Sequence, residues 1–134
     1  MLPRTLRVGI ASYEQMKART IAIARGECRP AANEPKVWFT SAESFARVLS
    51  DRNRALLGII AESTPESLSR LAELSGRKKS NLSRTLKTME RYGFVQLSRG
   101  ARGSVIPRVP YRRISLTLQL STPGREGRQG TEAA

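Results

Sequence analysis

Ten polar side chains within a short stretch carry the most concentrated chemistry of the chain: Arg77, Lys78, Lys79, Ser80, Asn81, Ser83, Arg84, Lys87, Arg99 and Arg102. Lysine and arginine only donate hydrogen bonds, while serine and asparagine both donate and accept. Such a set suits a partner rich in acceptors and negative charge. If residues 80–92 are helical, a spacing of three or four puts Asn81, Arg84 and Thr88 on one face, with Ser83 and Lys87 beside them. Asparagine can pair with an adenine edge and arginine with a guanine edge, which makes Asn81 and Arg84 the candidates for base readout. Lys78, Lys79 and Ser80, at the start of that helix, would grip phosphate with help from free backbone N–H groups. Arg99 and Arg102 sit in a Gly-rich stretch and would reach the adjacent minor groove or backbone.

The charge distribution reinforces the same partner. The formal net charge is +13, and between Arg77 and Arg113 eleven lysines and arginines accompany a single acid, Glu90. The stretch just before carries Glu62, Glu66 and Glu73 with only Arg70, so the positive charge belongs to one surface and is not spread evenly. Other chemistries are poorly served. With no histidine and a single cysteine, Cys28, there is no zinc finger, no imidazole-based metal site, no Ser-His-Asp or Cys-His arrangement and no intrachain disulfide. Cys28 reads as an ordinary loop cysteine. A Gly-rich phosphate loop is also missing, so neither an enzyme nor a bound metal or cofactor is expected. No apolar run approaches the roughly 18 residues of a membrane helix, and the start lacks a signal-peptide pattern. The expected location is the cytoplasm, with no membrane partner.

The elements that position these residues are well punctuated. Leu6, Val8 and Ile10 alternate over residues 5–10 as in a half-buried strand. Ser12 and Gln15 form a capping box for a helix over 13–24, which Gly26 stops. A linker with Pro30, Asn33 and Pro35 leads to a short strand at 37–39, where Trp38 and Phe39 either anchor the arm or stack on bases. Thr40 and Glu43 suggest a second capping box ahead of Phe45, Val48 and Leu49. Another helix follows from about Arg52 to Ala61, with Asp51 or Ser50 as its cap. Thr64, with Pro65 behind it, is the expected cap of a helix ending at Gly76. Ser80 is the expected cap of the basic helix, whose inner face is Leu82, Leu86 and Met89 and which Gly93 terminates. Beyond it the period changes from 3.6 to 2. Residues 94–97 should pair with 104–106 across a tip at 98–103, Pro107 and Pro110 should end the return strand, and residues 113–118 read as a last strand. Low apolar content marks 121–134 as a disordered tail.

In outline this is an α+β chain. An N-terminal strand-helix-strand arm (1–39) precedes a winged helix-turn-helix domain (40–120) and the tail (121–134). The stretches Asn53-Arg54-Ala55-Leu56-Leu57 and Leu71-Ala72-Glu73-Leu74-Ser75-Gly76-Arg77 resemble the winged helix-turn-helix of MarR-like bacterial and archaeal regulators. So does the run Lys79-Ser80-Asn81-Leu82-Ser83-Arg84-Thr85-Leu86-Lys87-Thr88-Met89-Glu90-Arg91-Tyr92-Gly93-Phe94-Val95. Together with Lys36 to Thr40 and Val109-Pro110-Tyr111, the whole stretch from Thr5 to Leu118 resembles a smaller group of transcriptional regulators. The resemblance implies a homodimer on palindromic double-stranded DNA, with residues 80–92 reading sequence and 98–104 acting as the wing. Members of the smaller group look like antitoxins paired with a small toxin protein. The long terminal helices through which larger MarR-type proteins dimerise have no counterpart here. A shared sheet using Leu6, Val8, Ile10, Ile114, Leu116 and Leu118 is the expected dimer contact. Three functions follow: an autoregulating transcriptional repressor, an antitoxin that occludes a toxin, or an RNA or ribosome binder. The 5% aromatic content counts against the third, because RNA readers stack bases on aromatic rings.

Overall fold

The structure, a computed structural model, describes residues 5–30 and 34–120; the tail expected over 121–134 lies outside them. Helices and strands are mixed, in the order β1 (Thr5–Ile10), α1 (Tyr13–Ala24), β2 (Val37–Phe39), α2 (Ala42–Val48), α3 (Asp51–Ser63), α4 (Leu68–Ser75), α5 (Lys79–Arg91), β3 (Gln96–Arg99), β4 (Val105–Arg108) and β5 (Arg113–Leu118). By compactness the chain divides into two units. The first takes Ala46–Ile114 with the start of β1, and the second takes Arg7–Phe45 with the chain from Ser115.

The second unit is built on a three-stranded sheet in the order β2-β1-β5. Its parallel β1–β2 pair aligns Val8 with Val37, Gly9 with Trp38 and Ile10 with Phe39. Parallel neighbours need a crossover, and α1 supplies it, entered through the Ser12–Gln15 capping box. β5 joins β1 of the same chain. Just past its end, the Gln119 N–H donates to the Ile10 carbonyl at 2.9 Å, and the Gln119 carbonyl accepts from Gln15 Nε2 at 3.0 Å. Trp38 serves packing: its ring covers Gly9 so closely that a Cβ there would lie 2.5 Å from it. The Arg19 guanidinium sits 5.4 Å from the centroid of the Trp38 ring. Phe39 is buried and meets Phe45 edge to face, with centroids 5.5 Å apart. Leu6, Val8 and Ile10 are buried within the chain, while Leu116 and Leu118 are 46% and 58% exposed.

In the first unit, the apolar period of each helix builds one core: Leu56 and Ile60 of α3, Leu71 of α4, and Leu82, Leu86 and Met89 of α5 are buried with Phe94 and Val95. Each such side chain contributes about 1.5–3 kcal/mol by leaving water. The helix starts differ from expectation in three places. Ser41, not Thr40, caps α2, its Oγ accepting from the Ser44 N–H at 3.0 Å. Thr64 closes α3 in a left-handed conformation (φ 40°) and Ser67 caps α4. Proline suits both the first helical turn and the residue after a helix end, since neither place needs its N–H, so Pro65 alone does not distinguish the two arrangements. Lys78 occupies the N-cap of α5 without a side-chain cap bond, which leaves Ser80 inside the first turn. The sheet also shifts. β3 and β4 pair antiparallel, with Gln96 opposite Arg108 and Arg99 opposite Val105, two residues later on the first strand than the hydropathy pattern suggests. Pro107 lies within β4, buried and opposite Leu97. A two-stranded ladder leaves every second N–H of a strand without a strand to bond, a place that proline tolerates.

Candidate nucleic-acid interface

α4 and α5 pack against each other and are joined by three residues. Gly76 closes α4 in the left-handed region (φ 74°), its N–H donating to the Ala72 carbonyl at 2.8 Å, and Arg77 and Lys78 complete the turn. With Leu82, Leu86 and Met89 facing the core, the other side of α5 presents Lys79, Ser80, Asn81, Arg84 and Lys87 to solvent, with Ser83 and Thr88 half-buried. Gly93 (φ 85°) follows the end of α5, and the Phe94 N–H returns to the Met89 carbonyl at 3.0 Å. These bonds turn the chain into the β3–β4 hairpin.

The hairpin tip is a tight turn over Ala101–Gly103, kinked at Arg102. Gly100 donates to the Ser104 carbonyl at 2.7 Å, and a Cβ on Gly100 would lie 2.6 Å from Ile106 Cδ1. A side chain at that position would have to displace the Ser104 hydroxyl and the end of Ile106, and glycine lets them approach closely. Arg102, at the apex, adopts φ 59°, a left-handed conformation that costs an L residue about 1 kcal/mol. Both Arg99 and Arg102 are exposed.

Among the described residues the ion pairs are Arg19–Glu34, Arg54–Asp51 and Arg70–Glu73. None draws on the segment from Arg77 to Arg113. Lys78, Lys79, Arg84 and Lys87 on the helix, and Arg99 and Arg102 on the hairpin, thus carry charge that no acid among the described residues neutralises. The α5 N-terminus adds to this field. Its first N–H groups have no side-chain cap and point partial positive charge outward.

Arg77 and Arg108 differ from the other basic residues of the segment. The Arg108 guanidinium donates to the Pro65 and Pro107 carbonyls, each at 2.7 Å, and ties β4 to the α3–α4 turn. Arg77 is a junction. Its Nη1 donates to Asn53 Oδ1 of α3 at 3.1 Å, and its Nε and Nη2 donate to Asn81 Oδ1 at 2.9 and 2.6 Å. Nη2 also reaches Thr85 Oγ1 at 3.1 Å, while the Arg77 backbone N–H donates to Ser75 Oγ at 3.2 Å. Asn53 is itself fixed, its Nδ2 donating to the Val48 carbonyl at 2.9 Å. Partial burial, with the nearby Arg52 charge, pulls the Arg77 pKa below the ordinary guanidinium value. Of the ten side chains marked by the sequence, Arg77 is therefore turned toward protein acceptors, and Asn81 is oriented by it. Asn53 and Thr85 escaped the sequence reading. The available signal was an asparagine inside a helix, where its side chain usually competes with the backbone.

A cavity of about 890 Å³ lies in the same unit beside Leu57, Phe94, Tyr111 and Arg112, and none of the ten marked side chains lines it. No helix among the described residues is long and apolar enough to cross a membrane.

The family model HVO_A0114 matches residues 48–116, just over half of the 134-residue chain. The chain belongs to the HVO_A0114 family. No curated protein and no solved structure matches it. The part matched to HVO_A0114 contains α3, α4, α5 and the hairpin, and with them every residue of the Arg77 junction and of the unneutralised basic face.

Proposed function

We propose that this protein is a sequence-specific DNA-binding transcriptional regulator. In this reading α4, the Gly76 turn and α5 form a helix-turn-helix, and the β3–β4 hairpin is its wing. The observation that carries it is the array of exposed cations on α5, its lead-in and the hairpin tip, for which no ion pair exists among the described residues. Like charges held together on a folded surface repel, and a polyanion offsets that repulsion by exchanging its counterions for them. α5 would lie in a major groove with Arg84 toward base edges and Lys78, Lys79 and Ser80 on phosphate, while Arg99 and Arg102 reach the neighbouring minor groove or backbone.

The resemblance to MarR-like regulators supports a homodimer on a palindromic operator that represses its own gene. For the dimer, the exposed Leu116 and Leu118 on the edge strand β5 offer the contact, since Leu6, Val8 and Ile10 are occupied within the chain. A monomer by light scattering at micromolar concentration would remove this part of the proposal. If the dimer neutralises roughly 8–10 phosphates, affinity falls by about 10³–10⁵ between 50 and 200 mM salt.

The deciding experiment is fluorescence anisotropy with the protein's own upstream duplex, a shuffled duplex and a matched RNA near 0.15 M salt. A preference of about a hundredfold for the upstream duplex is the expected result, within the range by which specific binding exceeds non-specific binding. Equal, weak binding to all three would overturn the proposal and point to a protein partner such as a toxin, or to RNA.

A further inference from the structure

The carboxamide of Asn81 has two faces, and the structure determines which one is free. A guanidinium carries donors only, so the group it meets must be the oxygen. Arg77 Nε and Nη2 both donate to Asn81 Oδ1, at 2.9 and 2.6 Å. A carboxamide oxygen has two lone pairs, and both are engaged. What Asn81 presents to solvent, from an exposed position on the outer face of α5, is its Nδ2 amine.

This arrangement is not easily undone by a ligand. The same guanidinium is held by Asn53 Oδ1 and Thr85 Oγ1, so turning Arg77 away from Asn81 would strain or break bonds that join α3 to α5. Among the described residues no acid pairs with Arg77 to compete for it. Its charge also stays beside the amide, which favours acceptors and disfavours donors in whatever approaches.

The pairing of asparagine with adenine requires both amide atoms: Nδ2 gives to N7 while Oδ1 takes from the N6 amine. With Oδ1 occupied, the second half of that pair is lost and the adenine amine meets no acceptor. Cytosine presents a donor in the major groove, thymine one acceptor, and guanine two adjacent acceptors, N7 and O6. We infer that Asn81, oriented by Arg77, reads its base only as a donor and selects guanine over adenine, with Arg77 as the positioning residue that sets this choice. The inference rests on the DNA-reading proposal above. It also reverses the pairing that the residue type suggests when Asn81 is considered alone.

The test is selection of duplexes from a randomised pool by the full chain and three variants, Asn81→Ala, Arg77→Met and Arg77→Lys, each checked by thermal melting. Asn81→Ala should relax one position of the enriched sequence and so identify the base that Asn81 reads. In the unaltered protein that base should be guanine, preferred over adenine by about tenfold, a typical discrimination for a well-made base contact. Arg77→Met frees Oδ1, and the preference at that one position should disappear or pass to adenine while other positions keep theirs. If Arg77→Met does not fold, Arg77→Lys makes the same comparison, because a single ammonium cannot reproduce the fork that spans Asn53, Asn81 and Thr85. Adenine at that position in the unaltered protein, guanine retained in a folded Arg77 variant, or no position relaxed by Asn81→Ala would each overturn the inference while leaving DNA reading intact. Enrichment of no sequence at all would overturn the DNA-reading proposal and this inference together.

Discussion

Arg19 in the second unit and Arg84 in the first show two uses of the same side chain. Arg19 is half-buried, ion-paired with Glu34 and stacked on Trp38, so its charge and its stem are both satisfied by its own chain. Arg84 is exposed on α5 with no acid partner among the described residues, as are Arg99 and Arg102 on the hairpin. The first arrangement is what stability alone favours. The second holds like charges together and gains nothing within the fold. Inside the first unit the contrast recurs, for Arg77 and Arg108 are engaged by Asn53, Asn81, Thr85 and backbone carbonyls, while Lys78, Lys79, Arg84 and Lys87 have no such side-chain partner among the described residues. Whether an arginine supports the fold or awaits a ligand is thus decided by the acceptors that the turns bring to it.

The comparison breaks most visibly if charge on the outer face of α5 is irrelevant to binding. Replacing Lys79, Arg84 and Lys87 together by glutamate should lower affinity for any duplex by about a thousandfold or more at physiological salt, given the dominance of phosphate contacts. The melting temperature should move by no more than a few degrees, because these side chains are exposed. Anisotropy and thermal melting on one preparation check both halves. The inner face of the same helix should behave oppositely. Leu86 is 1% exposed, and Leu86→Ala should cost about 2–5 kcal/mol in denaturant unfolding, with duplex affinity retained by the molecules that remain folded.

Single substitutions then sharpen the distinction on the outer face itself. Arg84→Ala should cost about 1–3 kcal/mol on the preferred duplex and less on a random one, the signature of base readout. Equal losses on the two would reassign Arg84 to the backbone. Lys79→Ala should weaken all duplexes alike and reduce the slope of log affinity against log salt by about one unit, which a titration of salt reads directly.

Much of the fold was legible because it is local. The alternation of Leu6, Val8 and Ile10 and the Ser12–Gln15 box give β1 and α1 their observed bounds. The spacing of Leu82, Leu86 and Met89 separates the two faces of α5. Helix starts were legible only where one residue qualified. Between Thr64 and Ser67, or Lys78 and Ser80, the decision lies in which backbone conformation the neighbouring turn imposes, and a caps-and-period argument does not contain it. Pro107 misled for a related reason: it breaks a strand inside a wide sheet but not in a two-stranded ribbon. The site divides the same way. Exposure of Arg84 and Lys87 follows from helical period, whereas the inward turn of Arg77 depends on Asn53, 24 residues upstream, and on Thr85 one turn beyond Asn81. No local pattern reports a hydrogen bond of that span.

The smallest effect tests the other side of the comparison, in the second unit. Glu34→Gln removes the charge partner of Arg19 but leaves an amide oxygen in its place and the guanidinium over Trp38. The side chains of the pair are 19% and 24% exposed, so they are shielded from solvent more than a surface pair and yet still reached by water. The loss should be about 1 kcal/mol, at the upper end for exposed pairs, and visible as a lower denaturant midpoint with an unchanged slope. Duplex affinity should not change, because neither residue belongs to the unneutralised face. Since Glu34→Gln removes a negative charge, a rise in affinity comparable in size to the fall for Lys79→Ala would mean that the charge of the second unit also reaches the DNA, and pairing within the chain would no longer set Arg19 apart from the waiting arginines.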